Sequence, residues 1–276
     1  MKFNKLAILG SGSMGTAILA GLLRRGVDSG QVVASTKTEA TASRLADEFG
    51  ITAIATETNA AANAEAVVDA DIVLLAVKPA YIIEVLTQVA GNLKPGSLVV
   101  SAAAGITTAA MQAAVADNVA VVRAMPNTPA IVGRAVTGLA AGSRVSPEQL
   151  ATASELFESV GRVVVVGEDQ IDQLSTVSGS GPAYVFYFIE EFTKAAVELG
   201  FTPDQARMLV EETFLGASEL LAASGKTPAD LRRQVTSPNG TTMQAIAVFE
   251  QANLHELFGR ATAAALARAR EIAAGK

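Results

Sequence analysis

A glycine-rich turn between a short apolar run and a long helical pattern constrains this chain more than any other feature. The run "FNKLAILG" predicts a β-strand, "GSGSMG" spans Gly10–Gly15 with G-x-G-x-x-G spacing, and "SMGTAILAGLLRRG" predicts a helix that stops at Gly26. A strand, a turn and a helix in this order direct backbone N–H groups and the positive end of the helix dipole to one point. The segment therefore predicts a site for the pyrophosphate of a dinucleotide.

The uncharged stretch 6–23 is a poor candidate for a membrane span or a signal peptide. A span needs about 20 predominantly apolar residues, whereas this stretch barely reaches that length and contains four glycines and three hydroxyl residues. A signal peptide ends in a small-residue cleavage site, whereas here the run ends at Arg24 and Arg25 inside a continuing helix pattern. A ligand-binding loop fits this stretch best.

Each of the three glycines in the turn is expected for a different physical reason. Gly10 permits the sharp turn from strand to helix, Gly12 lets the backbone approach the pyrophosphate, and Gly15 lets the helix lie close to the strand. The cofactor-binding residues predicted in this loop are Gly10, Ser11, Gly12, Ser13, Met14 and Gly15.

The end of the second predicted strand, "QVVAST", indicates which dinucleotide binds. A site for NAD usually has Asp or Glu there for the ribose hydroxyls, but this chain reads Ser35, Thr36 and Lys37 and has no carboxylate before Glu39. Hydroxyl groups and a cation suit a 2′-phosphate and favour NADP. A lysine that is only solvated on its loop is the alternative, and use of NADH stays open.

Composition excludes several other classes of function. The formal charge of -6 and the pI near 5.0 leave no basic surface for nucleic acid. Without cysteine the chain has no disulfide, thiolate metal site or thiol nucleophile, and it is compatible with a reducing compartment. His255 is the single histidine, so a histidine-based triad or a multi-histidine metal site is not expected, and we interpret His255 as structural. We expect no bound metal and a cytoplasmic location.

Strand and helix patterns alternate as far as the strand "RVVVVG", which predicts an α/β fold with a Rossmann-like, doubly wound parallel sheet. The turns Ala76–Pro79 ("AVKP") and 101–105 ("SAAAG") then lie at the carboxyl edge of the sheet, where ligands bind. Lys78 could be catalytic, but its position before Pro79 favours a neighbour of the cofactor. The dinucleotide-binding domain is predicted over residues 1–163.

From Glu168 onward the sequence predicts helices only, and a second, all-helical domain is assigned to 164–276. Proline and threonine mark the helix starts at Pro182, Pro203 and Pro228. The helix that begins at Pro203 has an apolar surface wider than one amphipathic stripe requires. It is either the centre of a monomeric bundle or a subunit interface, and the small number of helices favours the interface.

Two loops of this helical part precede helix starts and are rich in glycine and hydroxyl residues. "STVSGSGPAYVF" contains Ser178, Gly179, Ser180 and Gly181, and "TSPNGTTMQAI" contains Asn239, Gly240, Thr241 and Thr242. Exposed N–H groups at a helix start hold an anion without a charged side chain. Capping alone would explain one such loop, but two of them favour a site for a small carboxylate.

The segments "GSGSMG", "AVKP", "RAMPNTP", "SGSGPAY" and "SPNGTT", in this order and spacing, resemble the pyrroline-5-carboxylate reductase family over nearly the whole chain. The resemblance implies an enzyme that makes L-proline from its cyclic imine with a hydride from NAD(P)H. It implies a homodimer through the helical domain, in many members a pentamer of dimers. Thr242 matches the threonine that donates a hydrogen bond to the ring nitrogen, and Thr241 its neighbour in the substrate loop.

The resemblance also implies where the ligands lie. The substrate carboxylate is held by the loops at Ser178–Gly181 and Asn239–Thr242. The cofactor lies over the glycine loop and the turn after the second strand. Its further contacts match Asn63, Ala76, Val77, Lys78, Pro79, Ala102, Ala103, Ala104, Glu168 and Gln234. The family has two glycines where this chain has Asn239 and Gly240, and Asn is the residue other than glycine that best tolerates a left-handed backbone.

Two other functions remain as alternatives. A β-hydroxyacid dehydrogenase would have a catalytic lysine early in the first helix of the helical domain, where this chain has Val185, with Lys194 two turns further on. A non-enzymatic NADP sensor would have a degraded substrate loop, whereas "SPNGTT" keeps both hydroxyls. Imine reduction needs little from side chains, because a protonated C=N carbon is already electrophilic.

Overall fold

The computed structural model describes residues 3–273. The first part of the chain forms an eight-stranded sheet with the strand order β3-β2-β1-β4-β5-β6-β7-β8. The strands are β1 Leu6–Leu9, β2 Val32–Thr36, β3 Thr52–Ala55, β4 Ile72–Leu75, β5 Leu98–Ser101, β6 Ala120–Met125, β7 Ala135–Ala141 and β8 Gly161–Val165. The first six strands are parallel, which confirms the doubly wound fold class.

The helices cover both faces of this sheet. They are α1 Ser13–Arg24, α2 Glu39–Phe49, α3 Ala62–Val67, α4 Ile82–Val89, α5 Thr108–Ala113, α6 Pro147–Glu158 and α7 Glu168–Leu174. Successive strand residues point to opposite faces, so Leu6 and Ile8 enter one apolar core while Ala7 and Leu9 enter the other. Burial on both faces explains why the parallel strands read as continuous apolar runs.

Strand β7 was not predicted, and it reverses the direction of the sheet. It pairs antiparallel with β6, and β8 is parallel to β7. Its sequence, "AVTGLAA", is dominated by small residues and lacks a clear alternation. Gly138 is needed there because an added Cβ would lie 2.6 Å from a methyl group of Leu174 on α7.

A second compact unit contains residues Gly181–Ala265, while the described residues before Gly181 and from Leu266 onward form the first. Its helices are α8 Gly181–Glu198, α9 Pro203–Ser224, α10 Pro228–Gln234, α11 Thr241–Gln251 and α12 Leu254–Ala273, the last extending into the first unit. Thr202 caps α9 in a reciprocal capping box, and Gly225 ends it in the left-handed conformation, as the sequence indicates. After β8 the described elements are all helical. The division of the chain into functional domains at residue 163 stays a prediction.

The second unit has little apolar core of its own. Ala196, Ala206 and Val210 form its buried cluster. Many larger side chains are exposed instead, including Phe186 at 65 %, Leu215 at 58 % and Met208 at 53 %. An apolar surface of this kind marks an interaction site. None of the helices within residues 3–273 is long and apolar enough to cross a membrane.

Candidate active site

The glycine turn has the geometry that a pyrophosphate site requires. Gly10 lies at φ +87°, and an added Cβ would lie 2.6 Å from Val77 Cγ1. A Cβ on Gly15 would lie 2.5 Å from the Gly10 carbonyl oxygen, whereas a Cβ on Gly12 would have no atom within 4 Å. Gly10 and Gly15 are therefore glycines for the fold. Gly12 borders open space at the start of α1, as expected where a phosphate approaches the backbone.

The neighbouring strand ends adjoin this turn. Gly10 N donates to Ser35 O at 3.1 Å, Ala76 N to Leu9 O at 2.8 Å, and Ala102 N to Leu75 O at 2.9 Å. The predicted cofactor residues of the first unit thus meet at the carboxyl edge of the parallel strands. Lys78 is exposed beside them and Ala103 is buried. Groups from four adjacent strand ends line one edge, which is where ligands of doubly wound sheets bind.

The end of β2 carries fewer free donors than its sequence suggests. The Ser35 hydroxyl donates to Asn63 Oδ1 at 2.6 Å, and the Thr36 hydroxyl donates to Thr38 O at 2.9 Å. Both side chains are buried. Lys37 is exposed, so it is the group at this strand end that is available to an anionic ligand.

Two acidic residues also lie at this strand end. Glu39 begins α2 two residues after Lys37. Its backbone N–H donates a hydrogen bond to Glu57 Oε1 at 2.5 Å. Glu39 Oε2 accepts the Thr58 hydroxyl at 3.0 Å. The Glu57 carboxylate therefore occupies a helix start that would otherwise attract a phosphate.

Glu168 is engaged within the protein by both of its carboxylate oxygens. Oε1 accepts from Thr108 N at 2.6 Å and Oε2 from the Thr108 hydroxyl at 2.5 Å. Arg123 Nη1 lies 3.8 Å from Glu168 Oε1, and Arg123 Nη2 donates to Asp172 Oδ1 at 2.7 Å. Arg123 is 3 % exposed, and its Nε has no hydrogen-bond partner within residues 3–273. Glu168 thus fixes the start of α5, directly after the predicted cofactor contacts Ala102–Ala104.

The predicted substrate loop at Ser178–Gly181 lies between two regular elements, a π-helical turn and the start of a helix. Residues Ser175–Gly179 continue α7 as a π-helical turn, and α8 begins at Gly181. The Ser180 N–H is bonded to Ser175 O at 2.9 Å, and the Ser178 hydroxyl donates to Leu174 O at 3.2 Å. These groups are therefore not all free donors. Single π-turns inside helices occur often at functional sites.

The second predicted substrate loop has the expected backbone. Asn239 adopts φ +59°, which confirms that this position requires the left-handed conformation. Gly240 precedes α11 without a side-chain cap, and Thr241 and Thr242 form its first turn. No hydrogen bond of the described residues uses either threonine hydroxyl. Gln234 is the exposed last residue of α10 in the same unit.

The residues that bear on the alternatives are also placed. Lys194 contacts Glu190 at 2.8 Å and Glu191 at 2.7 Å, and these hydrogen bonds raise the pKa of Lys194 above its ordinary value. A lysine held protonated in this way is a poor general base for alcohol oxidation. His255 is exposed in the first turn of α12.

Three residues of the first unit were missed as contributors to this region. Arg123 and Asn127 stand in "RAMPNTP", which was used only as a family signature, and Thr108 follows "SAAAG". Two local signals could have identified them: Arg123 is a charged residue inside an apolar strand, and Asn127 is a polar residue between two prolines. Their partners lie about 50 residues or more away in the chain, which no local pattern reveals.

The fold and this site define a dinucleotide-dependent oxidoreductase with a helical dimerisation part. Residues 168–272 match the family model for pyrroline-5-carboxylate reductase dimerisation, and residues 5–105 match that for NADP oxidoreductase coenzyme F420-dependent. The pyrroline-5-carboxylate reductase of Pseudomonas aeruginosa is 39% identical over 99% of this chain and 98% of that protein. That of Escherichia coli is 39% identical over 90% of both chains. The chain belongs to the pyrroline-5-carboxylate reductase family.

Solved structures agree with this assignment. The pyrroline-5-carboxylate reductase of Coxiella burnetii superposes with a TM-score of 0.92 at 36% identity, covering 98% of both chains. A Plasmodium falciparum pyrroline carboxylate reductase with NADP bound shares the fold, with a TM-score of 0.80 at 24% identity and 98% coverage of both chains. The expected fold class and family are therefore confirmed.

Proposed function

We propose that this chain reduces L-1-pyrroline-5-carboxylate to L-proline with a hydride from NADPH, as the last step of proline biosynthesis. The observation that carries the proposal is 39% sequence identity to a reductase of this name over 99% of the chain. The start of α11 after the left-handed residue Asn239 has no side-chain cap and carries two threonine hydroxyls that no described residue uses, which supports it further. The glycine turn fits a dinucleotide because Gly12 leaves open space where a phosphate would approach.

The chemistry requires orientation more than acid or base catalysis. When bound, the reduced nicotinamide supplies a hydride, which adds to the C=N carbon, and a proton is retained on the ring nitrogen. Thr242 donates its hydroxyl to that nitrogen or accepts from its N–H, and so holds the imine in line for attack. This mechanism needs no cysteine and no histidine, in agreement with a chain that has no cysteine and a single histidine, His255, interpreted as structural.

The substrate carboxylate is held by uncharged groups. Backbone N–H groups and hydroxyls of Ser178–Gly181 and of Asn239–Thr242 serve this role, since helix starts bind anions through N–H groups and the helix dipole. Gln234 and Glu168 are assigned to the nicotinamide side, where Glu168 acts together with Thr108.

NADPH is the proposed donor, with Lys37 as the residue that favours the 2′-phosphate. Its exposure supports this assignment, because Ser35 and Thr36 direct their hydroxyl protons to internal partners. One related structure holds NADP. Asn63 contributes beside Lys37 through its hydrogen bond to Ser35.

The proposed assembly is a homodimer through the helical part, and five such dimers form a pentamer of dimers. The exposed apolar side chains of α8 and α9 and the match to a dimerisation model support the dimer. The pentamer rests on the family resemblance alone. A cytoplasmic location also stays a prediction, supported by the biosynthetic activity of the bacterial relatives.

The test follows NADPH oxidation by the purified protein with L-pyrroline-5-carboxylate. The parent is expected to turn over, and Thr242→Val is expected to lower kcat about 100-fold because it removes the hydrogen bond to the ring nitrogen. Thr152→Val is the matched control, since the Thr152 hydroxyl bonds only to Glu148 O within α6. Equal turnover of parent and Thr242→Val would contradict the role of Thr242 but not the function.

The alternatives give different results in the same assay. A parent that binds NADPH without oxidising it in the presence of the imine would favour the sensor. Oxidation of β-hydroxyacids with NADP, without imine reduction, would favour the dehydrogenase. Either result would overturn the proposed function.

A further inference from the structure

Three alternate residues at and just after the end of strand β6 contact α7, its π-turn and the predicted substrate loop. Arg123 bonds to Asp172 on α7 at 2.7 Å. Met125 reaches Gly179, where an added Cβ would lie 3.1 Å from Met125 Cε. Asn127 Nδ2 donates to Ser178 O at 2.9 Å. Because side chains alternate along an extended segment, one face of residues 123–127 follows α7 and its π-turn towards the loop.

Asn127 uses both ends of its amide. Its Oδ1 accepts from Val136 N, at the start of β7, at 2.9 Å, while its Nδ2 holds the Ser178 carbonyl. The residue is 8 % exposed, so neither bond competes strongly with water. A buried amide with a donor and an acceptor engaged on opposite sides has one orientation only.

The Ser178 carbonyl needs this external donor. In a continuing α-helix it would accept from the backbone four residues on, but that residue is Pro182, which has no N–H. Ser178 is half-buried, and a carbonyl shielded from water without a partner costs free energy. The Asn127 side chain therefore donates the hydrogen bond that the backbone of residue 182 cannot donate to Ser178 O.

Gly179 lies close to the side chains of Ser175 and Met125. An added Cβ there would lie 2.9 Å from Ser175 Oγ, so a side chain at 179 would force these neighbours to shift. Ser180 N is bonded back to Ser175 O. The position at which the chain leaves the π-turn is thus set by the turn itself and by Asn127 and Met125.

We propose that Asn127 is a positioning residue that fixes the Ser178 carbonyl and thereby the loop Ser178–Gly181 that receives the substrate carboxylate. The inference rests on the proposed function, in which this loop binds the substrate. It assigns to "RAMPNTP" a role beyond that of a sequence signature. The effect acts on substrate affinity, because Asn127 is placed against the loop rather than against the glycine turn.

The test compares Asn127→Asp with the parent by steady-state kinetics. The new carboxyl keeps an acceptor for Val136 N–H but presents an oxygen instead of a donor to the Ser178 carbonyl. We expect the KM for L-pyrroline-5-carboxylate to rise about tenfold or more, which corresponds to the loss of one buried hydrogen bond. The KM for NADPH is expected to stay within about twofold of the parent.

Two further variants keep the result interpretable. Asn127→Leu has a similar volume and brings no buried charge, so it tests the same loss if Asn127→Asp fails to fold. Asn59→Asp is the matched control, because Asn59 also accepts from a backbone N–H, that of Ala61, and donates to a side chain, Glu65. It lies on an exposed loop before α3 and is expected to leave both KM values unchanged.

An unchanged imine KM in both Asn127 variants, or an equal rise of both KM values, would overturn the positioning role. Because the parent is assayed in parallel, this result differs from failure of the proposed function. Absence of imine reduction by the parent would overturn the function and, with it, the inference.

Discussion

Glu168 accepts both the backbone N–H and the hydroxyl of Thr108, at 2.6 and 2.5 Å, although the two residues are 60 positions apart. One carboxylate of α7 thereby caps the start of α5. These hydrogen bonds connect α5, which follows the predicted nicotinamide contacts Ala102–Ala104, to α7, which precedes the predicted substrate loop Ser178–Gly181.

We expect Glu168→Ala to lower the free energy of unfolding by about 2 kcal/mol, because two charge-assisted hydrogen bonds are lost and Thr108 N–H is left without its partner. Urea denaturation of the assembled protein measures this. Asp169→Ala is the control, since Asp169 occupies the same first turn of α7 but is exposed. A similar loss in both variants would show that the helix dipole, and not the bond to α5, is responsible.

The glycine turn gives a matched pair of substitutions. Gly15→Ala is expected to destabilise the fold by about 2 kcal/mol or more, because its Cβ would lie 2.5 Å from the Gly10 carbonyl oxygen. Gly12→Ala is expected to keep the melting temperature but to weaken NADPH binding at least tenfold, because its methyl group enters the space at the start of α1. Thermal unfolding and NADPH titration by fluorescence separate the two effects. Unchanged NADPH affinity in Gly12→Ala would contradict the placement of the pyrophosphate.

Cofactor preference is expected to respond in opposite directions to two neighbouring residues. Lys37→Ala should lower the ratio of kcat/KM for NADPH to that for NADH about tenfold, by removing a cation near the 2′-phosphate. Glu57→Gln should raise the same ratio several-fold, because it removes a negative charge from the start of α2. Glu65→Gln, on the following helix, is a control with an equal change in charge. A ratio that stays constant in both test variants would refute this assignment.

Stability at acidic pH is expected to depend on Asp71. Burial alone would raise the pKa of Asp71, but hydrogen bonds from the Lys94 ammonium and the Asn4 N–H outweigh it and lower the pKa. A carboxyl with a lowered pKa stabilises the fold above its unfolded pKa, and this contribution is lost as pH falls through the folded value. The loss is therefore expected below about pH 4.

Asp71→Asn should cost about 1 kcal/mol at pH 7 and progressively less below pH 4, as measured by urea denaturation across pH. Asp117→Asn is the control, because Asp117 pairs with Arg144 while its side chain is 95 % exposed. An equal deficit for Asp71→Asn at pH 3 and pH 7 would contradict the ionic origin of the effect.

The sequence was sufficient wherever local chemistry decides the backbone. Apolar runs identified the strands β1, β2 and β8, and threonine and proline identified the starts of α9 and α10. Asn239 was expected in the left-handed region because of its residue type, and it lies there. In each case the signal and its cause are a few residues apart.

Features that depend on distant partners were not predictable in this way. Strand β7 acquires its direction from pairing with β6, and its small residues accommodate Leu174 of α7. The sequence predicts the Ser35 hydroxyl as a cofactor donor, but Asn63, 28 residues further along the chain, accepts its proton. The sequence of Ser175–Gly179 predicts a loop where the structure has a π-turn, because glycine and serine favour both.

The small buried cluster of the second unit, Ala196, Ala206 and Val210, has a consequence for how the chain reaches its native state. Three side chains cannot offset the conformational entropy that five ordered helices lose. Because this part matches a dimerisation model, we expect a second copy of the chain to supply much of its stabilising apolar contact, so that folding and association become one equilibrium. The melting temperature of such a protein rises with its concentration, and dilution acts on it as a denaturant does.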